Sequence, residues 1–141
     1  MNIKNIMVKN VFTVSENTTV KEIAQIMTDK NIGAIPVTDY KTNKLLGIIT
    51  DRDIITRCLG KKLSPDTTTA TEIMTKNIVT VCPQNSVTES ARIMAKNKIR
   101  RLPICENGKL VGIITLGDIS RSKLMFAETA AAFCDICTNN E

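Results

Sequence analysis

A chain of 141 residues is long enough for one compact domain that hides roughly two thirds of its unfolded surface. With 43% hydrophobic and 23% charged residues it falls outside the disordered and fibrous classes. A net charge of +5 suits anionic ligands, while the complete absence of histidine removes the commonest general base and the commonest zinc ligand.

The elements follow in chain order. The opening MNIKNIMVKN has no apolar block ending in a small-residue cleavage site, so no secretory signal is expected and the default location is cytoplasmic. A short strand is predicted around Phe12 to Val14. Thr19 and Glu22 then form a capping box, and Val20, Ile23, Ala24 and Met27 recur with helical spacing as one buried stripe. AIPV is a brief strand whose proline suggests an edge or a beginning, and the loop from Asp39 to Asn43 leads to the strand LLGIIT. The longest apolar stretch, Leu45 to Ile49, is far short of the ~20 residues of a membrane helix. A second helix is expected from Asp51, followed by the polar linker GKKLSPDTTTA.

The same order then returns. A strand around Val79 to Val81 precedes a second capping box at Ser86 and Glu89, and Val87, Ala91 and Met94 form the stripe with Ser90 in a small slot. RLPI replaces AIPV, Asn107-Gly108 marks a tight hairpin, and LVGIIT runs into a helix near Leu116. Residue 5 falls over residue 72, an offset of 67, and beyond the unequal turn Gly47 falls over Gly112, an offset of 65. Ile6, Met7, Val14, Met27, Pro36, Thr50 and Asp53 are among the residues that meet themselves. The division expected is a first repeat over 1–60, a linker over 61–71, a second repeat over 72–125 and a tail over 126–141. Each repeat is too small to stand easily alone, which implies a pseudo-symmetric pair.

GIITDRDI at 47 and GIITLGDI at 112 carry the one motif with chemistry. Thr50 with Asp53, and Thr115 with Asp118, have the spacing of a capping box at a strand-to-helix junction. The same groups suit a nucleotide, because a carboxylate accepts from two ribose hydroxyls and backbone N–H groups with a threonine hydroxyl receive phosphate. The two accounts are compatible.

Order, spacing and duplication together resemble a tandem of CBS domains, over residues 1 to about 125. The resemblance implies an α/β (α+β) fold of two β-α-β-β-α CBS repeats packed through their sheets, a disc-like homodimer, and clefts between repeats that take adenosyl ligands. It implies that Thr50 and Asp53 face Thr80, Val81, Arg100 and Arg101, and that Thr115 and Asp118 face Thr13, Val14, Gly33 and Ala34. Adenine would lie near Val81 and Ile99. Arg101 falls where related nucleotide sensors carry phosphate-binding basic residues, and its counterpart Ala34 is uncharged, so the Asp53 cleft is expected to be the better one for phosphate. Arg52, Arg57 and Arg121 flank the motifs and are expected to face solvent.

The expected function is therefore a regulatory module that binds AMP, with ADP or ATP as further ligands, and signals to a separate downstream protein. No catalytic cofactor, metal, membrane or enzymatic activity is expected, since no nucleophile has a visible base. Alternatives are a sensor of S-adenosylmethionine or NAD, a structural dimer scaffold, and a nucleic-acid-binding module, the last disfavoured by one Tyr, three Phe and no Trp. In the tail, Leu124, Ala127, Ala131 and Phe133 are expected to form an apolar helical face against a partner protomer. Cys134 and Cys137 make at most half a zinc site. Five cysteines at irregular spacing fit reduced thiols.

Overall fold

The computed structural model describes residues 1–122 and 126–138, with 126–129 and 138 as helical backbone alone. The elements are α1 (Val20–Lys30), β1 (Ala34–Thr38), β2 (Leu45–Thr50), α2 (Asp51–Asp53), α3 (Ala70–Ile73), α4 (Val87–Asn97), β3 (Arg101–Glu106), β4 (Lys109–Thr115), α5 (Leu116–Arg121) and α6 (Phe126–Thr138). A short 3-10 turn spans Ile3–Asn5, and α2 continues as a π-helical stretch over Ile54–Leu59. Two compact units result. One is continuous, Phe12–Ile78; the other, the terminal unit, joins Met1–Val11 to the chain from Val79 onward.

Each unit is built around one two-stranded antiparallel hairpin, β1 with β2 and β3 with β4. Asn107 and Gly108 both have positive φ, 54° and 78°, the geometry a tight hairpin turn requires. The longer turn is closed by Asp39, whose Oδ1 accepts from the backbone N–H groups of Lys41 and Thr42.

The helical stripes behave as their spacing dictates. Val20, Ile23 and Met27 of α1 are buried with Ile35, Ile49 and Ile73, and Val87, Ala91 and Met94 of α4 are buried with Leu102, Ile114 and Ile119. Ser90 fits its small slot by donating its hydroxyl to the Ser86 carbonyl at 3.0 Å. Thr19 and Glu22 make the full reciprocal box. At Ser86 only half forms: Ser86 Oγ accepts from Glu89 N–H, while Glu89 Oε2 accepts from the Asn85 side chain at 2.7 Å.

The strands expected at Phe12 to Val14 and Val79 to Val81 shrink to single bridges, Val14 to Val37 and Val81 to Ile104. A turn follows each bridge at once. Within those turns Ser15 N–H goes to Thr18 Oγ1 and Cys82 N–H to Asn85 Oδ1.

The linker is ordered. Thr68 and Pro65 accept from Val20 and Lys21 N–H at the start of α1, and Thr68 is buried. These bonds occupy orphan donors at the helix N-terminus.

The glycine of each GIIT run has a packing reason. In the continuous unit, Ile48 exchanges two 3.0 Å backbone bonds with Thr75, and in the terminal unit Val8 bonds Ile113 in the same way at 2.9 and 3.0 Å. A Cβ on Gly47 would sit 2.6 Å from Met74 Sδ and 2.9 Å from the Thr75 carbonyl oxygen. On Gly112 it would sit 2.9 Å from both Met7 Sδ and the Val8 carbonyl oxygen. Only glycine admits the lead-in segment so close.

The tail forms a separate helix. α6 packs against α4 and α5 and buries Ala132 and Ile136. Ala131 and Phe133 are exposed, while Leu124 and the side chain of Ala127 lie outside the described residues. The pair Ala132 and Ile136 is spaced i, i+4, a two-residue stripe too short to stand out by periodicity.

Candidate functional site

Both threonine-aspartate motifs form complete capping boxes. Asp53 Oδ2 accepts from Thr50 N–H at 2.9 Å while Thr50 Oγ1 accepts from Asp53 N–H at 3.2 Å. Asp118 Oδ2 and Thr115 repeat this at 2.9 and 3.1 Å. The second oxygen of each carboxylate is held by an arginine: Asp53 Oδ1 lies 3.6 Å from Arg57 Nε, and Asp118 Oδ1 accepts from Arg121 Nη2.

Arg57 is not the solvent-facing group expected, because it donates to the Ile73 carbonyl at 3.0 Å and to Thr75 Oγ1 at 3.1 Å. It ties the lead-in segment to the strand-to-helix corner. Arg52 is exposed, and the side chain of Arg121 is largely so.

The two corners share a backbone design and differ in charge. Asp51 N–H donates to the Gly33 carbonyl at 2.9 Å, and Leu116 N–H to the Arg100 carbonyl at 2.8 Å. Gly33 and Ala34 thus stand where the terminal unit has Arg100 and Arg101. The Asp51 carboxylate lies against Gly33, its Oδ2 at 3.3 Å from the point a Cβ would occupy, where the terminal unit has Leu116. The first corner sets Asp51 and Asp53 beside Arg52 and Arg57, whereas the terminal corner adds Arg100 and Arg101 to the pair Asp118 and Arg121.

Ala34 pairs in register with Thr50, and Arg101 with Thr115. The structure therefore brings Arg100, Arg101 and Thr115 together in the terminal unit, on a cavity of about 540 Å³ that Ser120 and Phe133 also line. Asp118 opens on a second, smaller cavity of about 380 Å³ with Met1 and Arg121. Val14 and Val81 are core residues at 6% and 4% exposure, and their N–H and carbonyl groups are paired across their bridges. Ile99 packs against the terminal core, whereas Thr13 and Thr80 are exposed. Phe133, expected on a face toward a partner protomer, lines this cavity without any motif that marks that role.

Among the described residues, the titrations of Asp39 and Cys105 are displaced. Backbone N–H groups of Thr42 and Lys41 hold the Asp39 carboxyl below its ordinary range. Burial, with the neighbouring Cys82, pushes the Cys105 thiol up. None of the five cysteines forms a disulfide, and among the described residues no cluster of Cys, Asp or Glu is placed to hold a metal ion. No described helix is long and apolar enough to cross a membrane.

Fold and corners together define a duplicated module that presents two strand-to-helix junctions of unequal charge. The CBS domain family profile matches residues 3–60 and 70–124, and the chain belongs to the CBS-domain family. Among curated relatives, CBS domain-containing protein YhcV of Bacillus subtilis is 36% identical over 98% of this chain and 96% of its own. Hypoxic response protein 1 of Mycobacterium tuberculosis is 36% identical over 84% and 82%. The crystal structure of hypoxic response protein I with two coordinated zinc ions superposes with a TM-score of 0.79, covering 86% of this chain and 98% of that one. CBSX2 in complex with AMP gives 0.77 at 26% identity, over 89% and 98%. The CBS domain pair of MJ0100 in complex with 5′-methylthioadenosine and S-adenosyl-L-methionine gives 0.75 at 34% identity, over 86% and 98%.

Proposed function

We propose that the chain is a regulatory module that binds an adenosine-containing ligand, AMP foremost, and relays its occupancy to a separate protein. The observation that carries this reading is the cavity of about 540 Å³ onto which Arg100, Arg101 and Thr115 open. Its volume falls in the range of roughly 300 to 1,000 Å³ typical of ligand pockets. Two guanidinium groups and a hydroxyl beside a largely apolar wall match a phosphate joined to a flat base. Family membership and the AMP bound by CBSX2 support the same class of ligand.

A second reading applies to the corner of Asp51 and Asp53. Asp51 and Asp53, with Gly33 and Ala34 in place of arginines, suit a neutral or sulfonium-bearing adenosyl ligand better than a phosphate. MJ0100 binds 5′-methylthioadenosine and S-adenosyl-L-methionine, ligands of that kind.

Calorimetric titration of the full chain with AMP, ADP, ATP, NAD and S-adenosylmethionine tests both readings. Arg101→Ala removes one charge-assisted bond and is expected to weaken AMP about tenfold or more while leaving S-adenosylmethionine unchanged. Binding should also raise the melting temperature in proportion to the logarithm of ligand excess. Silence with every ligand would overturn the sensing reading in favour of a scaffold, and oligonucleotide binding with a steep salt dependence would favour a nucleic-acid module.

A further inference from the structure

α6 is amphipathic in an unusual way. One flank buries Ala132 and Ile136 against the terminal unit, and the other presents Phe133 and Cys134 to the cavity that Arg100, Arg101 and Thr115 also line. Phe133 stays 47% exposed, although a phenylalanine on a helix this close to a core has apolar surface to gain by turning inward. The ring instead lies beneath a cation, with Arg100 Cζ 5.5 Å from its centroid. An aromatic plane beside two guanidinium groups, on a cavity of about 540 Å³, is a surface for a planar base that carries a negative charge.

We propose that α6 is a wall of the ligand site in the terminal unit, with the ligand's base stacked on Phe133 while Arg100 and Arg101 receive its phosphate. This inference rests on the adenosine-ligand reading and adds a contact outside the repeats. The first repeat has no counterpart: at the offset of 65, residues 126–138 fall over 61–73, which hold the linker and α3. The two halves of the duplication therefore differ in a whole element of the site, and base stacking belongs to one of them. A consequence concerns signalling. A ligand that bridges α6 and β3 strengthens the docking of α6, and by reciprocity anything that pulls α6 away weakens the ligand. The tail is then the element that reports occupancy.

The test uses the full chain with AMP as the probe. AMP affinity is measured by calorimetry for wild type, Phe133→Ala, Phe133→Trp and Ala131→Ser, with far-ultraviolet circular dichroism to check that helix content is kept. In parallel, maleimide labelling of Cys134 and Cys137 is followed by peptide mass with and without AMP. Loss of the ring is expected to weaken AMP roughly tenfold, since stacking on one aromatic side chain carries about that much of base affinity. Phe133→Trp and Ala131→Ser should bind as wild type does, and AMP should slow labelling of Cys134 several-fold but not of Cys137. Wild-type affinity in Phe133→Ala, or AMP binding that leaves Cys134 labelling unchanged, would overturn the role of α6 and leave the adenosine reading standing. Absence of AMP binding to the wild-type chain would overturn both.

Discussion

Asp118 shows how much one carboxylate can carry. Its Oδ2 closes the capping box with Thr115 and its Oδ1 takes the guanidinium of Arg121, at 9% exposure for the whole residue. A ribose hydroxyl approaching this carboxylate has to compete with Arg121, whose side chain is 74% exposed and can swing away at little cost. Asp118→Asn retains an amide oxygen for Thr115 N–H and loses the charge; Asp118→Ala loses both. The alanine variant is expected to lower stability by about 1 kcal/mol and the asparagine variant by a few tenths, read as the shift in a urea unfolding midpoint. Equal midpoints for wild type and Asp118→Ala would refute the capping role. The threonine-to-aspartate spacing made this box legible in the sequence, because a box is a local device of four residues. Its arginine was not legible, since Arg57 lies four residues beyond its aspartate and Arg121 three.

At the scale of elements, the reason for glycine in each GIIT run lies in a lead-in segment far away in the chain. Met7 and the Val8 carbonyl sit where a side chain on Gly112 would go, as Met74 and the Thr75 carbonyl do at Gly47. Gly112→Ala is expected to cost on the order of 1 to 3 kcal/mol, the range of overpacking in a filled site. In a double-mutant cycle with Met7→Ala, part of that loss should return, because the sulfur yields space while the carbonyl of Val8 does not. Strict additivity of the two changes, measured by thermal unfolding, would show that they do not touch. The helical stripes were readable because period and packing agree in α1 and α4. The first strand of each half was not, because a local turn follows its single bridge at once, braced by Thr18 in one half and Asn85 in the other. The face of α6 escaped for a related reason, as alanines on both flanks leave the sequence no contrast between inside and outside.

Across the whole molecule, the repeats in the sequence and the units in space are out of phase. Family matches follow chain order, 3–60 and 70–124, whereas Met1–Val11 folds with the chain beyond Val79, and residues 70–78 fold with the continuous unit. The sequence had no means of showing this exchange. Met7 and Met74 are the same residue type, as are Gly47 and Gly112, so swapped and unswapped pairings make the same contacts and differ only in connectivity. The consequence is a remote effect of local change. Ile3 is fully buried in the terminal core, its N–H bonds the Asn85 carbonyl at 3.0 Å, and the Met1 carbonyl accepts from Val87 N–H at the start of α4. Removing residues 1–8 takes away an isoleucine whose burial contributes roughly 1.5 to 3 kcal/mol, together with the Val8 to Ile113 pair of bonds. Hydrogen exchange of the truncated chain is therefore expected to show lost protection in α4 and β4, more than 70 residues along the chain from the cut, with α1 and β2 unchanged. Loss of protection in α1 and β2 instead would mean that the lead-in folds with the repeat that follows it in the chain.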